Sequence, residues 1–381
     1  MEIKNKKHTV IIPSHNTLSH LKNTYESIKR YASDVSIIII DDASNDGTAE
    51  WLEKLKDDYL KIIISDQRKG HTYWYDEGIK QSNTDIVSIL HSDMIIGPGY
   101  FSNLLKHVKK GKVICATRIE PPIHPAGKEK IVKDFGDESY NFKWDEFEKF
   151  VIQEKADNIN YTTKGIFAPW MLYKEAHLSI GGHDQRFAPY GYEDSDIFNR
   201  WIQAGYEMVQ ARDSLCYHMT CRGHRWNAGV GIENADYGET MERCRKEFLR
   251  KWGEWIQNDE YQYPIINPKY DKGIIIKNCT KTLLSYLEPW ADTIYVDCDY
   301  TDYIAEEQKN TITNLHHRIK PFNSKKHNEI LINIDANNFT QYDFNYITQL
   351  PAIIKDSGSV GNFKLGNITI DIIKLVEHLV S

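Results

Sequence analysis

A chain of 381 residues, 41% hydrophobic and 12% aromatic, is long enough for two domains and at least one large buried core. Its 54 acidic and 47 basic side chains leave a formal charge of −7. That balance excludes a general basic nucleic-acid coat, though not a local basic groove.

No apolar run approaches the ~20 residues that cross a bilayer, so no integral membrane segment is expected. Residues 1–7 are polar and basic, unlike a secretion signal. The six cysteines are far apart and form no secretory framework, so a cytoplasmic protein with reduced thiols is expected. Cys216, His218, Cys221 and His224 are close enough in sequence to suggest zinc, but paired-cysteine sites normally recruit their second pair from a distance.

The run His8-Thr9-Val10-Ile11-Ile12-Pro13 predicts a buried central strand, with Ser14-His15-Asn16 as the loop at its carboxyl end. A helix over 18–31 and a second buried strand over 36–40 follow. That strand ends in Asp41-Asp42-Ala43-Ser44-Asn45-Asp46-Gly47-Thr48, before a helix over 49–56. Strands over 59–65, 86–90 and 113–117 alternate with helices over 71–81 and 100–109. The fourth strand runs into His91-Ser92-Asp93. This is a doubly wound α/β pattern, whose ligands bind at the carboxyl ends of the strands.

The alternation breaks over 119–163. Pro121, Pro122 and Pro125 forbid a helix at its start, and an insertion of this length is expected to be a lid or wall on the acceptor side. Strand character returns over 165–173, with a short helix over 175–178. Short strands are expected at 208–210 and 215–218, and a long polar helix over 234–255. Composition shifts near 265–272, where a domain boundary is placed. Beyond it, strands over 273–276, 293–296 and 329–334 alternate with helices over 281–287, 302–318, 342–350 and 370–380, giving a small α/β module.

Between the double-glycine turn Ile180-Gly181-Gly182 and a helix-like stretch from Ile197 lies Gly191-Tyr192-Glu193-Asp194-Ser195-Asp196. Three carboxylates at the mouth of a helix suit general-base chemistry or the orientation of sugar hydroxyls. They equally suit an ordinary acidic helix start.

The segments Val10 to Asn16, Ile40 to Thr48 and Leu90 to Asp93 together resemble a family 2 glycosyltransferase of the GT-A fold. The Gly181-Gly182 turn and the Gly191 to Asp196 stretch resemble the carboxyl-terminal motif of galactosyltransferase-type GT-A enzymes. The resemblance covers roughly 7–225. It implies a GT-A domain, Rossmann-like and of the nucleotide-diphospho-sugar transferase kind, over 1–265. This includes the insertion 119–163 and a helical extension over 234–258. A small α/β domain over 266–381 follows.

The resemblance also implies roles. Pro13, Ser14 and Asn16 would hold the nucleotide, with Asp41, Asp42 and Ser44 at its base and ribose, and Ser92 and Arg222 completing the site. The family's metal motif is usually two aspartates flanking one residue. Here His91 replaces the first, so Asp93 and His218 would carry Mn²⁺ (or Mg²⁺). Asp194 would be the general base and Glu193 an acceptor ligand, with Tyr192 and Trp170 as sugar platforms.

The expected activity is inverting, metal-dependent transfer of a sugar from a nucleotide donor, UDP-linked, to a hydroxyl of a glycan or polysaccharide precursor. Two alternatives stand beside it: transfer to hydroxylated bases of DNA, and a non-catalytic nucleotide-sugar or glycan binding module with a degraded metal site. The carboxyl-terminal module has no role that its sequence assigns; a third reading makes it a homo-oligomerisation or acceptor-docking domain.

Overall fold

The computed structural model describes residues 8–226 and 229–380. Residues 1–7, on which the expectation about the chain's start rests, lie outside them. The chain divides into two units, 1–238 with 258–264, and 239–257 with 265–381.

The first unit opens with β1 (His8–Ser14), α1 (Leu18–Tyr31), β2 (Ser36–Asp42), α2 (Thr48–Leu52), β3 (Leu60–Ser65), α3 (His71–Gln81) and β4 (Ile86–Ile89). Then come β5 (Met94–Ile96), α4 (Tyr100–His107), β6 (Lys112–Glu120), β7 (Lys130–Val132), α5 (Trp144–Asp157) and β8 (Thr162–Thr163). β9 (Trp170–Tyr173), α6 (Lys174–Ser179), α7 (Glu193–Gln203) and β10 (Glu207–His218) complete its regular elements.

Ten strands form one sheet among the described residues, in the order β3-β2-β1-β4-β9-β6-β10-β5 with β7 and β8 attached to β6 and β10. β3, β2, β1 and β4 are parallel. Their continuous apolar runs reflect burial on both faces. One face packs on α1 and α4 through Val10, Ile12, Leu21, Ile28 and Leu104. The other packs on α3 and α7 through Ile11, Ile79, Ile197 and Trp201. The carboxyl ends of β1, β2 and β4 therefore open on one rim.

Antiparallel pairing of β10 with β5 sets His218 opposite Met94, beside Asp93. The sequence suggests two short strands at 208–210 and 215–218. The structure joins them into β10, interrupted by a register shift between Ala211 and Leu215. The insertion is less irregular than expected. It contains α5, whose Phe147 and Val151 join Phe135, Phe142, Ile119 and Tyr217 in a core of their own.

The second unit carries α8 (Tyr237–Trp252) from Glu239 onward, so most of the expected helical extension groups with it. It continues through β11 (Lys272–Lys277), α9 (Lys281–Leu287), β12 (Thr293–Val296), α10 (Thr301–Glu307), α11 (Leu315–Arg318) and β13 (Ile319–Pro321). β14 (Ile330–Asp335), α12 (Gln341–Ser357), β15 (Gly361–Leu365) and β16 (Ile368–Ile372) follow. The sheet order is β13-β12-β11-β14-β16-β15.

Two expectations for this unit fail. The helix over 302–318 is broken, and Asn314 caps a fresh turn at α11 by accepting the His317 N–H. The helix over 370–380 is absent. In its place β16 pairs with β15 across a turn in which Gly366 has φ +59°.

Candidate active site

Three side chains from the ends of β4 and β10 converge. His91, Asp93 and His218 each offer one ligand atom, all within 4.8 Å of one another. His218 Nε2 lies 3.5 Å from Asp93 Oδ1, and its Nδ1 lies 3.2 Å from Glu120 Oε1. The backbone N–H of Arg222 donates to Asp93 Oδ2 at 3.2 Å. Burial, then the neighbouring imidazoles of His218, His71 and His224, hold His91 well below its ordinary pKa. A neutral imidazole is the form that ligates a metal. Two imidazoles and one carboxylate fit Mn²⁺ and tilt away from the all-oxygen preference of Mg²⁺. His91 thus stands with Asp93 and His218 as a third possible ligand.

A second triad, Asp76 with His177 and His183, is equally tight and fully buried. Its chemistry differs. Asp76 Oδ1 is 2.8 Å from His177 Nε2 and 2.7 Å from His183 Nδ1, and the His183 backbone N–H donates to the same carboxylate at 3.0 Å. The outward nitrogens, His177 Nδ1 and His183 Nε2, are buried without partners among the described residues. A metal-bound imidazole must carry a proton on its outer nitrogen and needs an acceptor for it. A neutral imidazole donating to Asp76 leaves only a bare lone pair there, which costs less. The triad is a hydrogen-bonded anchor that pins the Gly181-Gly182-His183 turn to α3.

The acidic centre begins α7. Tyr192 has φ +70° and precedes Glu193, so the chain turns sharply into the helix. Glu193 and Asp194 are then treated very differently. Glu193 Oε1 is 2.7 Å from His71 Nε2, and its Oε2 accepts the Gly191 N–H at 2.5 Å. Burial alone would raise the Glu193 pKa and lower that of His71. Their mutual attraction outweighs both, holding Glu193 below and His71 above the ordinary value. The half-buried Asp194 carboxylate has no hydrogen-bond or ion-pair partner among the described residues. Burial first, and the Glu193 charge second, push its pKa up to about 6. Asp196 is buried and pairs with Arg200 at 2.8 Å, and Arg200 reaches the Ile180 carbonyl. It braces the helix.

Glycosyl transferase family 2 matches residues 9–174, and the N-terminal domain of galactosyltransferase matches residues 149–223. Residues 9–174 of the first unit form a family 2 glycosyltransferase domain. Its sheet is that of the GT-A fold. An uncharacterized glycosyltransferase, YfnE of Bacillus subtilis, is 24% identical over 259 residues, 56% of this chain and 64% of its own. The dolichol-phosphate mannosyltransferase of Pyrococcus furiosus is 27% identical over 111 residues, 28% of this chain and 32% of its own. The chain therefore spans less than two thirds of either relative. Among solved structures, a mannosyltransferase of Pyrobaculum calidifontis in complex with GDP-Man and Mn²⁺ superposes with TM-score 0.41 at 16% identity, covering 59% of this chain and 58% of its own.

His71, absent from the sequence-based set, is the residue that organises the centre of this glycosyltransferase domain. It is the first residue of α3, and its ring is 6.4 Å from that of His91. It therefore stands between the acidic centre and the His91, Asp93 and His218 group. Gly70 makes this possible. It has φ +86°, and a Cβ there would lie 2.2 Å from Pro189 Cα. Gly70→Ala is expected to destabilise by about 1–3 kcal/mol, because rigid backbone has to shift. Urea unfolding of the variant measures this, and a cost within 0.5 kcal/mol of zero, at about the level of surface substitutions, would refute the contact. The signal in sequence was a glycine before a helix-starting histidine, which alone says nothing about Glu193.

At the ends of β1 and β2, Asp41 is buried and accepts the Ser44 N–H at 3.2 Å, while Ser44 Oγ accepts the Asn16 N–H at 3.0 Å. Asn16 has φ +52° and its Oδ1 accepts the Asn45 N–H. These three residues do meet. Pro13 and Ser14 are buried at the end of β1. The Ser14 and Ser92 hydroxyls both bond Thr17 Oγ1, at 2.9 and 2.8 Å, and so tie the first loop to the His91–Asp93 loop.

Three expectations need correction. Asp42 does not face a nucleotide. Its carboxylate takes N–H groups from Trp74 Nε1, Lys69 and Gly70 at 2.6, 2.7 and 2.8 Å, and so builds the turn that presents His71. Trp170 is no sugar platform. It is fully buried in the core, 5.0 Å from Trp201 edge to face. The Arg222 guanidinium is buried, bonding the Asp137 carbonyl at 2.5 Å and Glu138 at 2.9 Å, so only its backbone reaches the site. Tyr192 remains half-buried beside Glu193. Cys216, one of the zinc candidates, sits in the apolar core. Among the described residues, no helix is long and apolar enough to cross a membrane.

Proposed function

We propose that the protein is an inverting, metal-dependent glycosyltransferase that moves a sugar from a nucleotide donor to a hydroxyl of a glycan-type acceptor. The observation that carries this reading is the division of labour between the adjacent carboxylates. Glu193 is neutralised by His71 and fixed. Asp194 is half-buried, unpaired among the described residues and shifted up to about 6, within reach of a neutral-pH proton transfer.

In this reading Asp194 takes the proton of the acceptor hydroxyl as its oxygen attacks the anomeric carbon. The bond from that carbon to the diphosphate oxygen breaks on the opposite face, so configuration inverts. Glu193 and Tyr192 orient the acceptor. Asn16, Asp41 and Ser44 hold the base and ribose, and a carboxylate able to accept the uracil imide proton makes UDP the first donor to try. Asp93, His218 and His91 would hold Mn²⁺, or less readily Mg²⁺, whose contribution is to stabilise charge on the departing diphosphate.

The test is donor hydrolysis. The full chain is incubated with a panel of nucleotide sugars, with Mn²⁺, Mg²⁺ or EDTA. Release of one nucleotide that needs Mn²⁺, stops with EDTA and returns at lower Mn²⁺ than Mg²⁺ is the expected result. His218→Ala should raise the Mn²⁺ concentration required. Turnover that persists through EDTA would sink the metal role. No turnover together with no nucleotide binding by calorimetry would sink the enzyme reading.

A further inference from the structure

We infer that Glu120 is a positioning residue that fixes the metal-facing imidazole of His218, and that Lys130, carried by the insertion, holds Glu120 in place. This rests on the metal reading proposed above.

The backbone sets the pair. β6 and β10 run parallel with Tyr217 opposite Ile119, so the next step along each strand puts His218 beside Glu120. His218 Nδ1 is 3.2 Å from Glu120 Oε1. An ionised carboxylate can only accept, so the imidazole proton must sit on Nδ1. The lone pair is then left on Nε2, the atom 3.5 Å from Asp93. The other tautomer would give up this hydrogen bond and set a lone pair 3.2 Å from Glu120, whereas the Nδ1–H form leaves its lone pair at the longer 3.5 Å from Asp93, where a cation bound by both would sit. Glu120 therefore selects the tautomer that can ligate, the arrangement commonly found behind metal-bound histidines. The Asp76 triad lacks such an outer acceptor.

Glu120 is itself over-determined. Its side chain is 3% exposed. Arg118 donates to Oε1 at 2.6 Å and Lys130 to Oε2 at 2.7 Å. Arg118 is stacked 3.9 Å over the Phe167 ring, and Glu129 lies 3.6 Å from it. Two cations face two carboxylates, so the cluster is neutral without drawing on His218. Lys130 belongs to β7, which pairs with β6 from Arg118 to Glu120. Glu120 and Lys130 both belong to the span 119–163, so the insertion reaches His218 through Glu120 with Lys130 behind it.

The experiment is Mn²⁺ titration of the full chain, read by electron paramagnetic resonance, with metal-free UDP binding and thermal melting measured in parallel. Glu120→Gln is expected to weaken Mn²⁺ 10- to 100-fold. Lys130→Met should weaken it less, and Lys130→Arg should restore it. UDP binding without metal should stay level, which a general loss of structure would not allow. Should Glu120→Gln fail to fold with Arg118 unpaired, Lys130→Met carries the test. Wild-type Mn²⁺ affinity in the folded variants, with affinity lost in His218→Ala, would overturn the inference and spare the metal site. No Mn²⁺ binding by the parent chain would overturn both.

Discussion

Asp194→Asn is expected to lower the turnover number by 10²- to 10⁴-fold while leaving nucleotide affinity within a factor of two or so. The substitution keeps the size of the side chain and removes its ability to take a proton. That loss is about 3–5 kcal/mol of transition-state stabilisation. The pH profile of the parent provides a second reading. A base must be deprotonated to act, and the Asp194 pKa is pushed up to about 6. Turnover per unit enzyme at low substrate should therefore be flat at neutral pH and fall as pH drops through about 6. The variant's residual rate should lack that limb. Glu193→Gln should behave differently. It breaks the pair with His71, so its main effect should fall on the apparent acceptor KM. Equal losses of turnover in the two variants, or an acid limb that survives in Asp194→Asn, would show that the base lies elsewhere.

The contrast between these two carboxylates shows where sequence stops being informative. The strands of the first unit were legible, because unbroken runs such as Val10-Ile11-Ile12 and Ile37-Ile38-Ile39-Ile40 have no stable home except a buried parallel sheet. The acidic loops at their ends were equally plain. What sequence cannot carry is which of several acids is already satisfied. Asp42 looked as available as Asp41, yet it faces three N–H donors from α3 and the turn before it. Trp170 looked like a platform because nothing local says that β9 lies mid-sheet, between β4 and β6. α5 was hidden because Trp144, Phe147 and Val151, at helical spacing, are scattered among charged residues in a segment that begins with prolines. The terminal hairpin departs from the expected helix because Ile368, Ile370 and Ile372 alternate in burial with period two. The Gly366-Asn367 turn before them is its local signal. In each case a long-range pairing settled what the local pattern left open.

The second unit offers the largest expected change in stability. Arg250→Ala should cost about 3–5 kcal/mol. Its side chain is 1% exposed and lies among Glu247, Glu288 and Glu307, at 2.8, 2.5 and 2.7 Å. Arg318 reaches Glu288 at 2.6 Å and Lys246 reaches Glu307 at 3.1 Å, while Tyr303 donates to Glu288. Three positive and three negative groups balance. Removal of Arg250 leaves Glu247 and Glu288, which are 1% and 0% exposed, facing each other's charge with no water to screen it. An exposed pair such as Arg30 with Glu26 has no such leverage, and Arg30→Ala should change stability by less than about 1 kcal/mol.

The network also sets a pH dependence. Burial alone would raise the Glu288 pKa, but Arg250 and Arg318 outweigh it and hold the group below its ordinary value. A depressed carboxylate stabilises the fold above the unfolded pKa, and that stability is lost as pH falls through the folded one. The parent should therefore lose stability on acidification below the ordinary carboxylate range, and Arg250→Ala should lose less, having already forfeited the interaction. Urea denaturation at neutral and acid pH, with hydrogen exchange of the 272–277 and 293–296 amides to assign the transition to this unit, measures both. A cost below about 1 kcal/mol would mean that Arg318 and Lys246 alone compensate the three glutamates.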